Sequence, residues 1–311
     1  MTTLQERLDG GEVIILDGAI GSELQRMGVP MNADAWSAPG HLTHPDATRR
    51  LHEEYIKAGV DVITTNTYSS ARHNLEVAGL ADRTRELNTR AVTLAREARD
   101  SAGATRTVYI AGALSNYGAF SVTVERPAPP METLKASYRE HAEILAEAGV
   151  DLFVQEMIRD IQQGTALLDA ALATGLPVWL GFSCRTDDDG TVRFRHNPTD
   201  LTFAEGLDAL TAIGGSAVTV MHSDIEVTTP ALKVALERWQ GPVGSYPHYG
   251  HWERPIWHSE GAPSPEEYLR LAKEWVEMGV QIIGGCCGIG VEHIRPLKEG
   301  LSARAPAKES S

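Results

Sequence analysis

Eight short apolar runs, each followed by sequence able to form a helix, constrain this chain more than any other feature. In order they are Val13–Leu16, Val60–Thr65, Val108–Ala111, Asp151–Val154, Val178–Phe182, Ala217–Val220, Pro242–Ser245 and Val280–Ile283. They are rich in β-branched residues and nearly continuous in apolar character, as strands buried on both faces of a parallel sheet are. Helical spacing follows at about Ser22–Met27, Ala81–Ala98, Met131–Ala148, Ile161–Thr174 and Phe203–Ile213. Eight β/α units in 311 residues predict an α/β fold, a (β/α)8 TIM barrel with long loops over its C-terminal face. The alternative is an open doubly wound sheet, but the Gly-x-Gly-x-x-Gly turn that would mark it does not follow the first run. The expected organisation is one barrel over residues 1–301 and a flexible tail over 302–311, rich in Ala, Pro, Lys, Glu and Ser. Three Pro-, Gly-, Trp- or His-rich stretches, Met31–His44, Thr123–Pro130 and Tyr249–Pro265, are expected to lie over the barrel mouth.

Composition narrows the partners. With 28 Lys and Arg against 42 Asp and Glu, the formal charge is −14, which argues against nucleic acid or an anionic membrane surface. No run of 18 apolar residues and no charged-then-apolar leader is seen, so neither a membrane span nor a signal peptide is expected, and the location expected is cytoplasmic. Three cysteines, Cys184, Cys286 and Cys287, are an odd number and do not read as a disulfide framework. A homo-oligomer stays open, since helices on the outside of a barrel can carry an interface that periodicity does not reveal.

The chemistry concentrates at the last run, which ends in Gly284-Gly285-Cys286-Cys287-Gly288-Ile289-Gly290. Adjacent cysteines seldom bond to each other, whereas two thiolates on a glycine-flexed turn can face one metal ion. The bland reading is that both are small buried hydrophobes. The other runs end in polar residues as well: Asp17, Asn66, Ser115 with Asn116, Glu156, Cys184, His222 and His248. Active sites of such barrels sit at these strand ends, and a layer built only for packing would be Val, Ile and Leu. A catalytic Zn²⁺ wants about three protein ligands and an open position. Cys286 and Cys287 supply two, and either His222 or Cys184 the third. An open position would take a substrate thiol as thiolate. Glu156 suits an ammonium group, and the backbone after Asp17-Gly18 a carboxylate. Taken alone, Glu156 reads equally well as a barrel-interior carboxylate bonded to neighbouring strands. Trp36, Tyr68, Tyr117, Tyr246 and Trp252 offer aromatic faces for a cation, or simple loop packing.

Asp17–Leu24 (DGAIGSEL), Trp36-Ser37, Gly59–Tyr68 (GVDVITTNTY), Tyr117-Gly118, Asp151–Glu156, Tyr246-Pro247 and Gly284–Gly290 (GGCCGIG) together resemble the homocysteine S-methyltransferase family, in register from about Val13 to Lys298. The resemblance implies a (β/α)8 barrel, a zinc ion on three cysteines, and methyl transfer from an onium or folate donor to homocysteine, yielding methionine. By position, Cys286 and Cys287 match two zinc ligands, Glu156 the glutamate that holds the homocysteine amino group, and Asp17-Gly18 the turn near its carboxylate. The family's third cysteine belongs after the sixth strand, where this chain reads Val218–Ser223 without one. Met157 stands where the family has threonine, Asn116 where it has proline, and His248 where it has asparagine.

The leading expectation is therefore a zinc-dependent S-methyltransferase of methionine biosynthesis. Cys286, Cys287 and His222 hold the metal; Glu156 and Asp17 serve catalysis; Asp17, Gly18, Asn66, Tyr68, Tyr117, Glu156, Tyr246 and His248 bind substrate. The partners are a thiol amino acid and a small onium donor of the S-methylmethionine, S-adenosylmethionine, betaine or dimethylsulfonium type. A folate donor is less favoured for a single barrel. Two other readings are a metal-dependent hydrolase or lyase, in which a less thiolate-rich site activates water, and a non-catalytic binding barrel.

Overall fold

The computed structural model describes residues 2–119, 128–195 and 201–306. Strands β1 (Ile14–Ile15), β2 (Val62–Thr64), β3 (Tyr109–Ser115), β4 (Leu152–Ile158) and β5 (Val178–Phe182) come first. A hairpin of β6 (Cys184–Thr186) and β7 (Val192–Phe194) interrupts them, then β8 (Ala217–Asp224) and β9 (Val243–His248) follow. A second hairpin, β10 (His251–Glu253) and β11 (Ile256–His258), precedes β12 (Ile282–Ile283). The eight strands outside the hairpins pair in parallel in the order β1-β12-β9-β8-β5-β4-β3-β2. A parallel bridge from Leu16 to Val62 completes the ring, so the (β/α)8 expectation holds.

The alternation of side chains explains why the runs looked continuous. Ile14, Leu16, Val62, Ala111, Ala113, Leu152, Val154, Trp179, Ala217 and Ile282 fill the barrel interior. Their neighbours Ile15, Ile63, Ile110, Phe153, Leu180, Val218, Val220 and Ile283 pack outward against the helices. Both faces of each strand are therefore apolar. Helix α1 (Leu4–Asp9) sends Leu4 and Leu8 into the interior cluster, and the Gln281 amide donates to the Leu8 carbonyl at 2.6 Å. The N-terminal end is plugged, which leaves the other end for chemistry.

The connecting helices are α2 (Gly21–Arg26), α3 (Gly40–Thr43), α4 (Pro45–Ala58), α5 (Arg72–Val77), α6 (Thr84–Ser101), α7 (Met131–Ala148), α8 (Ile161–Leu172), α9 (Phe203–Thr211), α10 (Ile225–Arg238), α11 (Pro265–Glu277), α12 (Val291–Ile294) and α13 (Leu297–Gly300). The helix expected from Ala81 begins as a 3-10 turn over Ala81–Arg83 and becomes α-helical at Thr84. Two expected loops contain structure: Met31–His44 includes α3, and Tyr249–Pro265 includes the β10–β11 hairpin. Of the third, residues 123–127 lie outside the described residues. The expected tail pairs at its start, where Val13 donates to the Ala303 carbonyl at 3.0 Å and Ala305 to that of Gly11 at 3.0 Å; residues 307–311 lie outside the described residues. Among the described residues, no helix is long and apolar enough to cross a membrane.

Candidate active site

The C-terminal mouth of the barrel holds a cavity of about 380 Å³. Of the residues expected in the site, Asp17, Gly18, Trp36, Asn66, Tyr68, Tyr117, Glu156, His222, Tyr246, Trp252, Cys286 and Cys287 all line it.

Backbone geometry explains how the two thiols come to face it. The loop after β12 is held from several sides: Gly284 donates to Ser245 O (2.9 Å), Gly285 to Asp17 O (3.0 Å), Cys286 to Pro247 O (2.8 Å), and Tyr249 to Cys287 O (2.9 Å). At Gly288, φ is +78° and an added Cβ would lie 2.2 Å from the Tyr249 carbonyl oxygen; only glycine fits that approach. The Cys286 and Cys287 sulfurs are 4.0 Å apart.

His222 reaches them by a different device. Strand β8 slips register against β9 between Met221 and Asp224, and His222 has φ +42°. Ser183 Oγ donates to the His222 carbonyl at 2.7 Å, and the Cys184 N–H to Ser223 Oγ at 2.8 Å. The imidazole packs on His248 and Trp257, with ring centroids 4.4 and 5.5 Å away. Its Nδ1 lies 3.4 Å from the Cys286 sulfur, and the three donor atoms fall within 4.8 Å of one another.

That donor set fits zinc. Tetrahedral bonds of about 2.3 Å to sulfur and 2.0 Å to nitrogen separate two sulfurs by about 3.8 Å, and sulfur from nitrogen by about 3.5 Å. The observed 4.0 and 3.4 Å depart from these by only a few tenths of an ångström. The neighbouring Cys287 sulfur and burial push the Cys286 thiol well above its ordinary pKa. Cys184, the other candidate for third ligand, is fully buried against Phe194 and its neighbours and belongs to no such group among the described residues.

The remaining expected residues divide by position. Asp17 is 2% exposed and accepts from the Thr64 N–H (2.6 Å) and hydroxyl (2.9 Å); burial pushes its pKa up to about 8 against those bonds. Burial, followed by Cys286 and Asp17, raises that of Glu156 well above the usual carboxylate range. Ser37 donates to Asn66 Oδ1 at 2.7 Å and fixes that amide. Ser115, expected among the strand-end polar groups, instead supports the wall: its hydroxyl donates to the Tyr68 carbonyl and accepts from the Tyr117 N–H. His248, expected at the pocket wall, is fully buried behind His222, with Nε2 2.8 Å from Asp224 Oδ1.

Sequence reasoning did not single out several lining residues, Trp257, Arg159 and Met221 among them. Trp257 comes from β11, and the alternation Ile256-Trp257-His258 after a Pro turn was the available signal. The aromatic wall runs from Trp252 to Trp36 (5.6 Å), Tyr68 (6.2 Å) and Tyr117 (5.3 Å from Tyr68). Three non-glycine residues have φ in the left-handed region among the described residues, Trp36, Met157 and His222, and all three line this cavity. Such conformations cost on the order of 1–3 kcal/mol each and gather at functional sites.

A family model described as homocysteine S-methyltransferase matches residues 14–301. The chain is 28% identical to a selenocysteine methyltransferase of Astragalus bisulcatus, over 94% of each chain. It is also 28% identical to a homocysteine S-methyltransferase of Escherichia coli, over 95% of this chain and 97% of that one. The oxidized form of the homocysteine methyltransferase MmuM of Escherichia coli superposes with a TM-score of 0.75 at 25% identity, covering 96% and 99% of the two chains. The metallated form shares the fold, with a TM-score of 0.74 at 24% identity over 94% and 97%.

Proposed function

The chain belongs to the homocysteine S-methyltransferase family, and on that premise we propose that it moves a methyl group from a small onium donor to homocysteine or a related thiol, with zinc held by His222, Cys286 and Cys287. The observation that carries the reading is the meeting of one imidazole and two thiols, their donor atoms all within 4.8 Å of one another, in a cavity that an aromatic arc also lines. When bound, zinc supplies a positive charge that lowers the pKa of a substrate thiol and keeps its sulfur nucleophilic at neutral pH.

Everything else falls to the chain. Glu156 lines the cavity and is placed to hold the acceptor's ammonium group, with the acceptor carboxylate toward the Asp17-Gly18 turn. The bonds from Thr64 to both oxygens of Asp17 hold the turn rather than move a proton. Trp36, Tyr68, Tyr117 and Trp252 offer ring faces to the donor's cationic centre, where cation–π attraction is strongest once water is excluded. The acceptor sulfur then attacks the methyl carbon in line; the new S–C bond forms as the donor's bond to that carbon breaks, and the electron pair stays on the donor heteroatom. With homocysteine as acceptor the product is methionine.

The test is methyl transfer by reduced, zinc-loaded protein to homocysteine and selenocysteine from a panel of onium donors, read by mass spectrometry, with Cys287→Ser as the blank. Methylated product that depends on Cys287 is expected. Full zinc occupancy with no product from any donor would refute the reading.

A further inference from the structure

The proposed chemistry uses every charged group at the cavity wall except Arg159. Among the described residues the lining carries two carboxylates, Asp17 and Glu156, two thiols, one imidazole and this single guanidinium, with no lysine. Strand alternation alone would turn Arg159 away, because with Glu156 facing inward period two puts Ile158 inside and Arg159 outside. The left-handed step at Met157 reverses the order. β4 shifts register against β5 between Gln155 and Ile158, Ile158 joins the outer cluster against the helices, and Arg159 reaches the lining.

Arg159 also follows Glu156 in the direction of the barrel mouth. It comes three residues later on a strand running toward the mouth, up to roughly 10 Å further along at about 3.3 Å per residue. Among the groups that act on it electrostatically are Tyr68, Asp160 and Tyr138. Of these Asp160 caps helix α8, with Oδ1 accepting from the Gln163 N–H at 2.8 Å, and Tyr68 belongs to the aromatic arc. Burial lowers the pKa of the guanidinium from its ordinary value, yet it stays cationic, and a partly buried cation facing a cavity favours an anionic ligand group.

We propose that Arg159 is a specificity-determining residue for the methyl donor, pairing with the carboxylate of a zwitterionic onium compound whose cationic centre rests against Tyr68 and its aromatic neighbours. The inference rests on the proposed function. The other source of a carboxylate is the acceptor, whose carboxylate lies next to the ammonium group assigned to Glu156.

The experiment compares dimethylsulfonioacetate with trimethylsulfonium, two sulfonium donors that differ in the carboxylate. In the wild-type protein kcat/KM should favour the carboxylated donor on the order of 100-fold, the worth of a charge-assisted pair. Arg159→Met should bring the ratio to within about threefold of one, and Arg159→Lys should fall between, since lysine keeps the charge and loses the planar fork. The KM of the acceptor should move less than about threefold in Arg159→Met. A wild-type ratio near one, or an Arg159→Met protein that keeps the ratio while its acceptor KM rises, overturns the assignment. Calorimetric titration of dimethylsulfonioacetate into wild-type and Arg159→Met protein without acceptor separates this inference from the proposed function. Weaker binding to the variant supports the inference even where no thiol is methylated; equal binding overturns it.

Discussion

Replacing His222 by Ala, Asn and Gly in turn tests the metal assignment and the backbone strain together. All three variants lose the same imidazole and its packing on His248 and Trp257, so differences among them report the backbone at φ +42°. A left-handed residue with a Cβ costs about 1–2 kcal/mol, while glycine gives back roughly 0.4–1 kcal/mol through the freedom of the unfolded chain. His222→Gly should therefore be more stable than His222→Ala by about 0.5–1 kcal/mol, with His222→Asn between them. At an ordinary strand position the order reverses, glycine being the worse residue by about 0.5–1 kcal/mol. Guanidinium unfolding of the metal-free proteins measures the order. Elemental analysis after dialysis against trace zinc should find about one ion per wild-type chain and none in the variants. A glycine variant less stable than the alanine variant would refute the strain argument, and full zinc retention by His222→Ala would refute the ligand assignment.

Other consequences are independent of that series. Cys286→Ser should lose zinc yet keep the near-ultraviolet circular dichroism of the native barrel, because the loop is held by backbone bonds from Gly284, Gly285, Cys286 and Tyr249; an unfolded variant would show that the thiol itself holds the loop. His52 is fully buried on α4, and burial followed by His41 lowers its pKa to about 3, so its neutral form is the folded one. The stability it supports is complete above its unfolded pKa of about 6.5 and is lost as pH falls toward 3. At pH 5 the loss is about 2 kcal/mol, and His52→Leu should gain about that much relative to wild type between pH 7.5 and pH 5; parallel stability profiles would refute it. In Gly21→Ala the new Cβ would sit 2.4–2.8 Å from three ring carbons of Trp36. The indole must shift, at a cost of about 1–3 kcal/mol, and methyl transfer should fall with a change in tryptophan emission; unchanged activity and emission would mean that Trp36 does not shape the donor side of the cavity.

The barrel was legible because its strands are buried twice over, and this erases polar alternation and leaves countable apolar runs. Even β1 and β12, two residues each in the ladder, were visible from the longer runs around them. Strand ends were legible as polar residues after each run, which brought Asp17, Asn66, Glu156, His222 and the thiols to one face. Depth was not legible. His248 and Cys184 follow strands just as His222 does, yet His248 is enclosed behind it and Cys184 is packed in the outer core. The β10–β11 hairpin was read as a loop because its strands are only three residues long and the stretch around them is rich in Gly, Pro, Trp and His. Arg159 could not be found by counting, since its inward aim depends on a left-handed residue two positions earlier.

That dependence ties the site to the fold. Two barrel strands, β4 and β8, lose register with a neighbour, and each break contains a left-handed residue, Met157 in one and His222 in the other. A regular strand end offers the cavity every second side chain. Each break changes that rule: β4 delivers Glu156, Met157 and Arg159, and β8 delivers Met221 and His222 in succession. The Met157 N–H lies 3.2 Å from the Met221 sulfur and the Tyr68 hydroxyl donates to the Met157 sulfur, so the irregular ends brace each other across the mouth. A local strain of a few kcal/mol is small beside the closed ladder and two-sided core beneath it. A rigid barrel can therefore hold an imidazole, two thiols, a carboxylate and a guanidinium around one small cavity, in positions that ideal strands would not provide.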